Sequence, residues 1–249
     1  MVLRDVLRPV VADQLRRGVI DQWFFVRYGD SEWHVRLRMH GAGSRLLSDA
    51  LPVLTAACNE HADVVWRVQV DTYEREVERY GGAAGMLLAE HAFAVSTASM
   101  TILATESSDD VPRWHLAIVG ANRLLADLGL TMQNRHEIIA AAHARLATRL
   151  GVGAALRKQR GARYRRERAV LEHLLDDAAQ PAAAFEQRSR ALVVVRTHLD
   201  DAVGPANVAD WAGSLVHMHL NRLMRMPTAR QEFVIYDMLI RWYRSRSAR

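Results

Sequence analysis

Ser214-Leu-Val-His-Met-His-Leu-Asn-Arg-Leu223 reads as one helix that carries polar groups into an apolar pattern. Leu215, Val216, Leu220 and Leu223 supply the packing. His217 and Asn221, four apart, share a face with Met224, while His219 and Arg222, three apart, lie on another. A donor buried without a partner costs about 1–3 kcal/mol, so these groups need partners from elsewhere in the chain. Similar helical periodicity extends on both sides. It predicts helices over 83–105, 112–128, 134–150, 163–178, 184–203, 206–225 and 229–245. Asp109-Asp110-Val111-Pro112, Gly129, Gly151–Gly153, Gln180-Pro181, Gly204-Pro205 and Pro227 mark the breaks.

Upstream the period changes. Leu3, Val6, Leu7, Val10, Val11 and Leu15 fit a short helix over Val2–Arg17 that Gly18 ends. Asp21–Tyr28 and Glu32–His40 then read as a β-hairpin around Gly29-Asp30-Ser31. Trp23-Phe-Phe-Val26 is rich in strand formers. In the second strand Val35, Leu37 and Met39 alternate with His34, Arg36 and Arg38, so the two sets take opposite faces. Two guanidinium groups at i, i+2 beside a histidine can cradle a carboxylate. Ser44–Glu60 reads as a helix capped by its serine, and Val64–Thr72 alternates as a third strand. The expected fold is α+β and mainly helical, with a small N-terminal antiparallel sheet. It forms a single domain over 1–249, with a sheet-containing part at 1–80 and a helical part at 83–246.

Tyr73-Glu-Arg-Glu-Val-Glu-Arg-Tyr-Gly-Gly82 is too charged, and too close to a double glycine, for a plain helix. Glu76 and Arg79 are expected to form a polar network beside the Arg36 and Arg38 face.

The 249 residues carry 33 basic and 28 acidic side chains, a net charge of +5, and Lys158 is the only lysine. A basic surface suits an acidic partner. Seven basic residues crowd Leu156–Arg168, but Tyr164 is the only aromatic residue among them, so the stretch reads first as a solvated or protein-contacting patch and second as an anion surface. The single cysteine, Cys58, excludes an internal disulfide and a cysteine-based zinc cluster. The N-terminus is too charged for a signal-peptide core. The longest apolar pattern, Ala83–Ala104, is interrupted by Glu90, His91, Ser96, Thr97, Ser99 and Thr101, so no membrane segment and a cytoplasmic location are expected. Phosphate-loop, dinucleotide, G-x-S-x-G and H-E-x-x-H patterns are all lacking, which argues against nucleotide, serine-hydrolase and metal chemistry, and no cofactor is expected.

Taken together, Trp23-Phe-Phe-Val-Arg-Tyr28, His34-Val-Arg-Leu-Arg38, the Tyr73–Gly82 run and His217-Met-His-Leu-Asn-Arg222 resemble, in order and rough spacing, the C-terminal glutamate-elimination domain of lantibiotic dehydratases. The same domain occurs separately as thiopeptide-type bacteriocin biosynthesis proteins. The likeness runs from about Ile20 to Tyr243. It implies a lyase that removes glutamate from glutamylated Ser or Thr of a precursor peptide, leaving dehydroalanine or dehydrobutyrine. By motif position Arg36, Arg38, Arg79 and His217 inherit the catalytic roles. His34, Glu76, Tyr80, His219 and Asn221 fall to substrate binding, with His219 the alternate histidine. Arg75 stands where the family often has proline.

The half of the full-length enzymes that glutamylates the peptide from glutamyl-tRNA has no counterpart here. The resemblance therefore implies a free-standing elimination partner of a split dehydratase. Its partners would be the precursor peptide and a glutamyl-tRNA-dependent ligase subunit, with no membrane, and a homodimer is compatible. The same fold serves thiopeptide pyridine synthases, which join two dehydroalanines in a formal four-plus-two cycloaddition and shed the leader peptide. Retention of the elimination residues favours the first activity. A non-catalytic peptide- or RNA-binding subunit is the third reading. It would make Arg36 and His217 dispensable and put the weight on Leu156–Arg168.

Overall fold

Apolar residues at helical spacing from Leu3 to Val11 bury one side of a continuous helix, with a π-helical opening over Val2–Leu7 that runs into α1 (Arg8–Arg16). Gly18, at φ 61°, turns the chain out of it. The computed structural model describes residues 1–30, 32–106, 113–176, 183–225 and 228–247, and leaves out the side chains of 104–106, 154–160 and 183. The breaks expected at Asp109–Pro112, Gln180-Pro181 and Pro227, and Ser31 of the hairpin turn, lie outside the described residues.

The hairpin forms as expected from β1 (Gln22–Tyr28) and β2 (His34–His40), antiparallel, with Phe24 opposite Arg38, Val26 opposite Arg36 and Tyr28 opposite His34. Directly paired residues share a face, so His34, Arg36 and Arg38 lie with Phe24, Val26 and Tyr28. Trp23, Leu37 and Met39 lie on the opposite face and pack around Val11, Val19, Ile20 and Ala50. Phe24, Phe25 and Val26 are all buried, because β1 is covered on both sides.

Two expectations fail here. Val64–Thr72 forms no third strand, and the described residues hold a two-stranded sheet. The alternation is real, but Trp66, Val68 and Val70 are exposed, and no neighbouring strand offers a ladder. Ser44 is not a cap. α2 (Gly43–Arg45) starts after Ala42, whose extended backbone makes the cap without a side-chain bond, and the helix continues through a π-helical stretch at Leu46–Ala50 into α3 (Leu51–Asn59).

Beyond a short 3₁₀ turn at Glu78–Tyr80 and the positive-φ pair Gly81 and Gly82, the regular structure of the described residues is all helix. The helices are α4 (Ala83–Glu106), α5 (Arg113–Asp127), α6 (Met132–Arg149), α7 (Ala154–Asp176), α8 (Ala183–Thr197), α9 (Leu199–Val203), α10 (Val208–Leu223) and α11 (Ala229–Ser247). α7 begins nine residues earlier than the periodicity predicts, so the basic run lies within a helix. The expected 184–203 helix breaks at His198, between α8 and α9.

α4 is the central helix, packed by α8, α9, α10 and β1. Ala83–Leu103 is long and apolar enough to cross a membrane by length and composition, yet 56% of its most apolar window is buried within the protein. Its polar residues serve the interior. Ser96 and Thr97 bond back to the carbonyls of Ala92 and Phe93. The buried Arg222 guanidinium of α10 reaches the Phe93 carbonyl and the Ser96 hydroxyl, each at 3.0 Å. Burial first, then the charge of Arg188, lowers the Arg222 pKa to about 9.

Candidate active site

The late helix pair supplies the imidazole. α10 presents its apolar side, from Trp211 to Leu223, to the core and leaves His217 at the rim. α11 packs with Glu232 and Tyr236 four apart on one face, toward α10. The His217 Nδ1 atom lies 3.0 Å from both carboxylate oxygens of Glu232, and the Tyr236 hydroxyl donates to Glu232 Oε1 at 2.5 Å. Burial pushes the Glu232 carboxyl up, but the bonds from His217 and Tyr236 outweigh it and hold its pKa below the ordinary value. A carboxylate only accepts, so Nδ1 carries the proton and Nε2 is the nitrogen left for chemistry. Burial and the adjacent Glu232 charge keep the Tyr236 phenol protonated, well above its usual range.

Arg79 joins the same helix. Its Nε donates to Ser214 Oγ at 3.3 Å, one turn before His217, and its Nη1 pairs with Glu76 at 3.0 Å. The Glu76–Arg79 pair therefore forms, anchored on α10, but no hydrogen bond or ion pair among the described residues joins it to Arg36 or Arg38. Tyr80 is buried against Phe93, with its pKa raised to about 12 by burial. Arg75 forks onto Glu90 of α4 through two 2.9 Å bonds. Arg75 thereby ties the turn to α4.

The hairpin arginines occupy a different cavity. Arg36 lies 3.8 Å over the Tyr28 ring, donates to His34 Nε2 at 3.1 Å and pairs with Asp30 at 3.2 Å. His34 Nδ1 in turn meets the Glu32 carbonyl at 2.9 Å. Arg38 lies 4.7 Å over the Tyr73 ring and has no carboxylate partner among the described residues. Both line a cavity of about 1190 Å3 between the hairpin, the N-terminal helix and 64–73, whereas His217 and Asn221 line one of about 210 Å3 with Arg149 and Glu232. No hydrogen bond or ion pair among the described residues joins Arg36 or Arg38 to His217.

The link between the two cavities is Asn221. Its Oδ1 accepts from the Arg27 backbone N–H and its Nδ2 donates to the Arg27 carbonyl, both at 2.8 Å. Arg27 Nε reaches the Arg222 carbonyl at 3.1 Å. β1 is thereby fixed to α10 one turn beyond His217, and Tyr28, the next residue, carries Arg36 on its ring. The Asn221 amide is engaged in this joint and holds the hairpin on α10, beside the cavity that it lines with His217.

His219 is withdrawn from the site altogether. It is 1% exposed, with Nδ1 3.2 Å from the Met100 sulfur and 3.4 Å from Arg188. Burial and two neighbouring guanidinium charges, those of Arg188 and Arg222, drive its pKa far down and keep the ring neutral. The sequence reading missed Glu232 and Tyr236. Their signal was the i, i+4 placement of a carboxylate and a phenol on an otherwise apolar face. Among the described residues no group of histidine, cysteine and carboxylate side chains could hold a metal ion.

A mainly helical α+β domain with a carboxylate-steered imidazole beside an anchored guanidinium has the parts for proton transfer next to an anion. The chain belongs to the family of lantibiotic biosynthesis dehydratase C-terminal domains, which its residues 1–243 match. That membership ties it to dehydration in the making of lantibiotic-type peptides. Among solved structures it resembles the tRNA-dependent lantibiotic dehydratase MibB from Microbispora sp. 107891, with a TM-score of 0.75 and 23% identity. The match takes in 100% of this chain and 27% of that one, so this chain spans about a quarter of that relative's length. It also resembles TsrL, with a TM-score of 0.68 and 16% identity over 100% of this chain and 91% of that one. At these identities the likeness is one of fold. No curated protein matches in sequence.

Proposed function

We propose that the protein is a lyase that eliminates glutamate from glutamylated Ser or Thr of a precursor peptide. The observation that carries this reading is the His217–Glu232–Tyr236 chain with Arg79 held on Ser214 one turn away. His217 Nε2 takes the Cα proton, and the electron pair left behind forms the Cα–Cβ double bond. The Cβ–O bond breaks and glutamate leaves as a carboxylate. Charge builds on the substrate carbonyl as the proton departs, and a guanidinium stays charged and offers fixed donors to it. Arg79, on the 3₁₀ turn and bonded to Ser214 one turn before the imidazole on α10, takes that role. Arg36 and Arg38, across the Asn221–Arg27 joint, hold the glutamyl carboxylates or the peptide that bears them. A glutamyl-tRNA-dependent ligase supplies the ester.

The test is incubation of the glutamylated precursor peptide with the protein alone. Free glutamate should appear, and the peptide should lose the mass of glutamic acid. An ester that survives intact overturns the proposal. A bis-dehydroalanine peptide in a parallel arm, if converted to a pyridine macrocycle with release of its leader, would assign the cycloaddition instead.

A further inference from the structure

Successive residues of a strand point to opposite faces. A cavity touched by every residue from His34 to His40 therefore runs along the edge of β2 rather than over one face. Opposite that edge, every residue from Val64 to Asp71 lines the same cavity. Neither wall is closed. The β2 edge away from β1 pairs with no other backbone, and 66–73 makes no backbone–backbone hydrogen bond, among the described residues. Trp66 and Val70 stand 72% and 67% exposed along the second wall. Unpaired edges and bare apolar side chains are features that folded proteins normally cover. At about 1190 Å3 the space exceeds the roughly 300–1,000 Å3 of a small-molecule site. Its lining carries eight arginines against four carboxylates, and Arg38 and Arg67 have no acidic partner among the described residues.

We infer that this cavity takes an acidic peptide segment, laid between β2 and 66–72 as an added strand. The ligand's backbone meets the free edge of β2. Its apolar side chains, at alternate positions, cover Trp66, Val68 and Val70, and its carboxylates meet Arg38 and Arg67. The β2 wall, seven residues long, accommodates a stretch of about 23 Å at 3.3 Å per residue. That this segment is an unmodified part of the same peptide substrate rests on the proposed function, but the docking itself does not.

The experiment is fluorescence anisotropy on the full chain with a fluorescein-labelled decapeptide that alternates Glu with Val or Leu and carries no ester. Binding is then measured apart from any elimination, so the two proposals fail separately. The acidic peptide should bind at least about tenfold more tightly than its lysine counterpart, because eight arginines against four carboxylates line the cavity. N-methylation of one of its two alternating amide sets should weaken it about as much, since strand addition depends on those donors. Arg67→Glu, with an unchanged melting temperature, should erase the preference for the acidic peptide. Equal binding of the lysine peptide, or indifference to both methylation patterns, overturns the inference. So does tighter binding of a ten-nucleotide oligouridylate, which would make the surface an RNA site.

Discussion

His217 Nδ1 lies 3.0 Å from each carboxylate oxygen of Glu232, an arrangement that fixes both the tautomer and the plane of the imidazole. Replacement of Glu232 by Gln keeps the volume but removes the charge, and an amide can meet either tautomer. We expect kcat for glutamate release to fall by at least about tenfold while KM stays within a factor of about two, because the loss acts on proton transfer rather than on binding. Tyr236→Phe, which removes only the second bond to Glu232, should have a smaller effect in the same direction. Steady-state kinetics on the glutamylated peptide checks both. An unchanged kcat in Glu232→Gln would remove Glu232 from the mechanism.

The same carboxylate predicts a pH dependence of stability. Its pKa in the folded protein lies below the unfolded value of about 4.3. Below pH 5 the unfolded chain therefore binds the proton first. The stabilisation is complete above the unfolded pKa and is lost as pH falls through the folded one. The melting-temperature gap between wild type and Glu232→Gln should narrow steadily between pH 5 and pH 3. Thermal melts at half-unit intervals measure it, and a constant gap contradicts the assigned shift.

Much of this architecture was legible in the chain, and the exceptions have physical causes. Helices α5, α6, α10 and α11 follow apolar spacing because each buries a stripe, whereas α4 is apolar nearly all round because it is central. The hairpin follows because Trp23-Phe-Phe-Val26 and the His34–Met39 alternation both fit a pleated surface. Val64–Thr72 has the same alternation and forms no strand, since alternation describes two faces and not the presence of a neighbour. His217 and His219 look alike in sequence. They point to opposite fates because two residues turn a helix by about 200°, which sends one to Glu232 and the other to Met100. Glu232 was hidden because its partner lies on another helix, fifteen residues away.

Asn221 tests how the hairpin is held. Its amide satisfies the N–H and C=O of Arg27 at once. Asn221→Ala leaves both part-buried groups without that partner, at about 1–3 kcal/mol. Urea unfolding should show a lower midpoint with an unchanged slope. If the proposed function holds, activity should fall beyond the loss in folded fraction, because Tyr28 directly follows Arg27 on β1 and carries Arg36 on its ring. A variant as stable as wild type would show that other contacts hold β1 to α10.

The two histidines of α10 should separate stability from chemistry. His217 is half-exposed, and its replacement by Ala opens no core cavity, so stability should fall only through the lost bond to Glu232 and the chain should stay folded. Turnover, if His217 carries the proton, should drop by about 10²–10⁴. His219 fills the space beside Gly120, where an added Cβ would lie 2.5 Å from the imidazole. Gly120→Ala should therefore cost about 1–3 kcal/mol through overpacking. Combining it with His219→Ala should recover part of that loss, since the small side chain makes room for the new methyl. In the His219→Ala single variant, kcat per folded molecule should stay near wild type while stability falls through the cavity it leaves. Calorimetry paired with single-turnover glutamate release reads both quantities. The opposite pattern, with His219→Ala inactive and His217→Ala active, would move the chemistry into the interior and end the proposal built on the His217 imidazole.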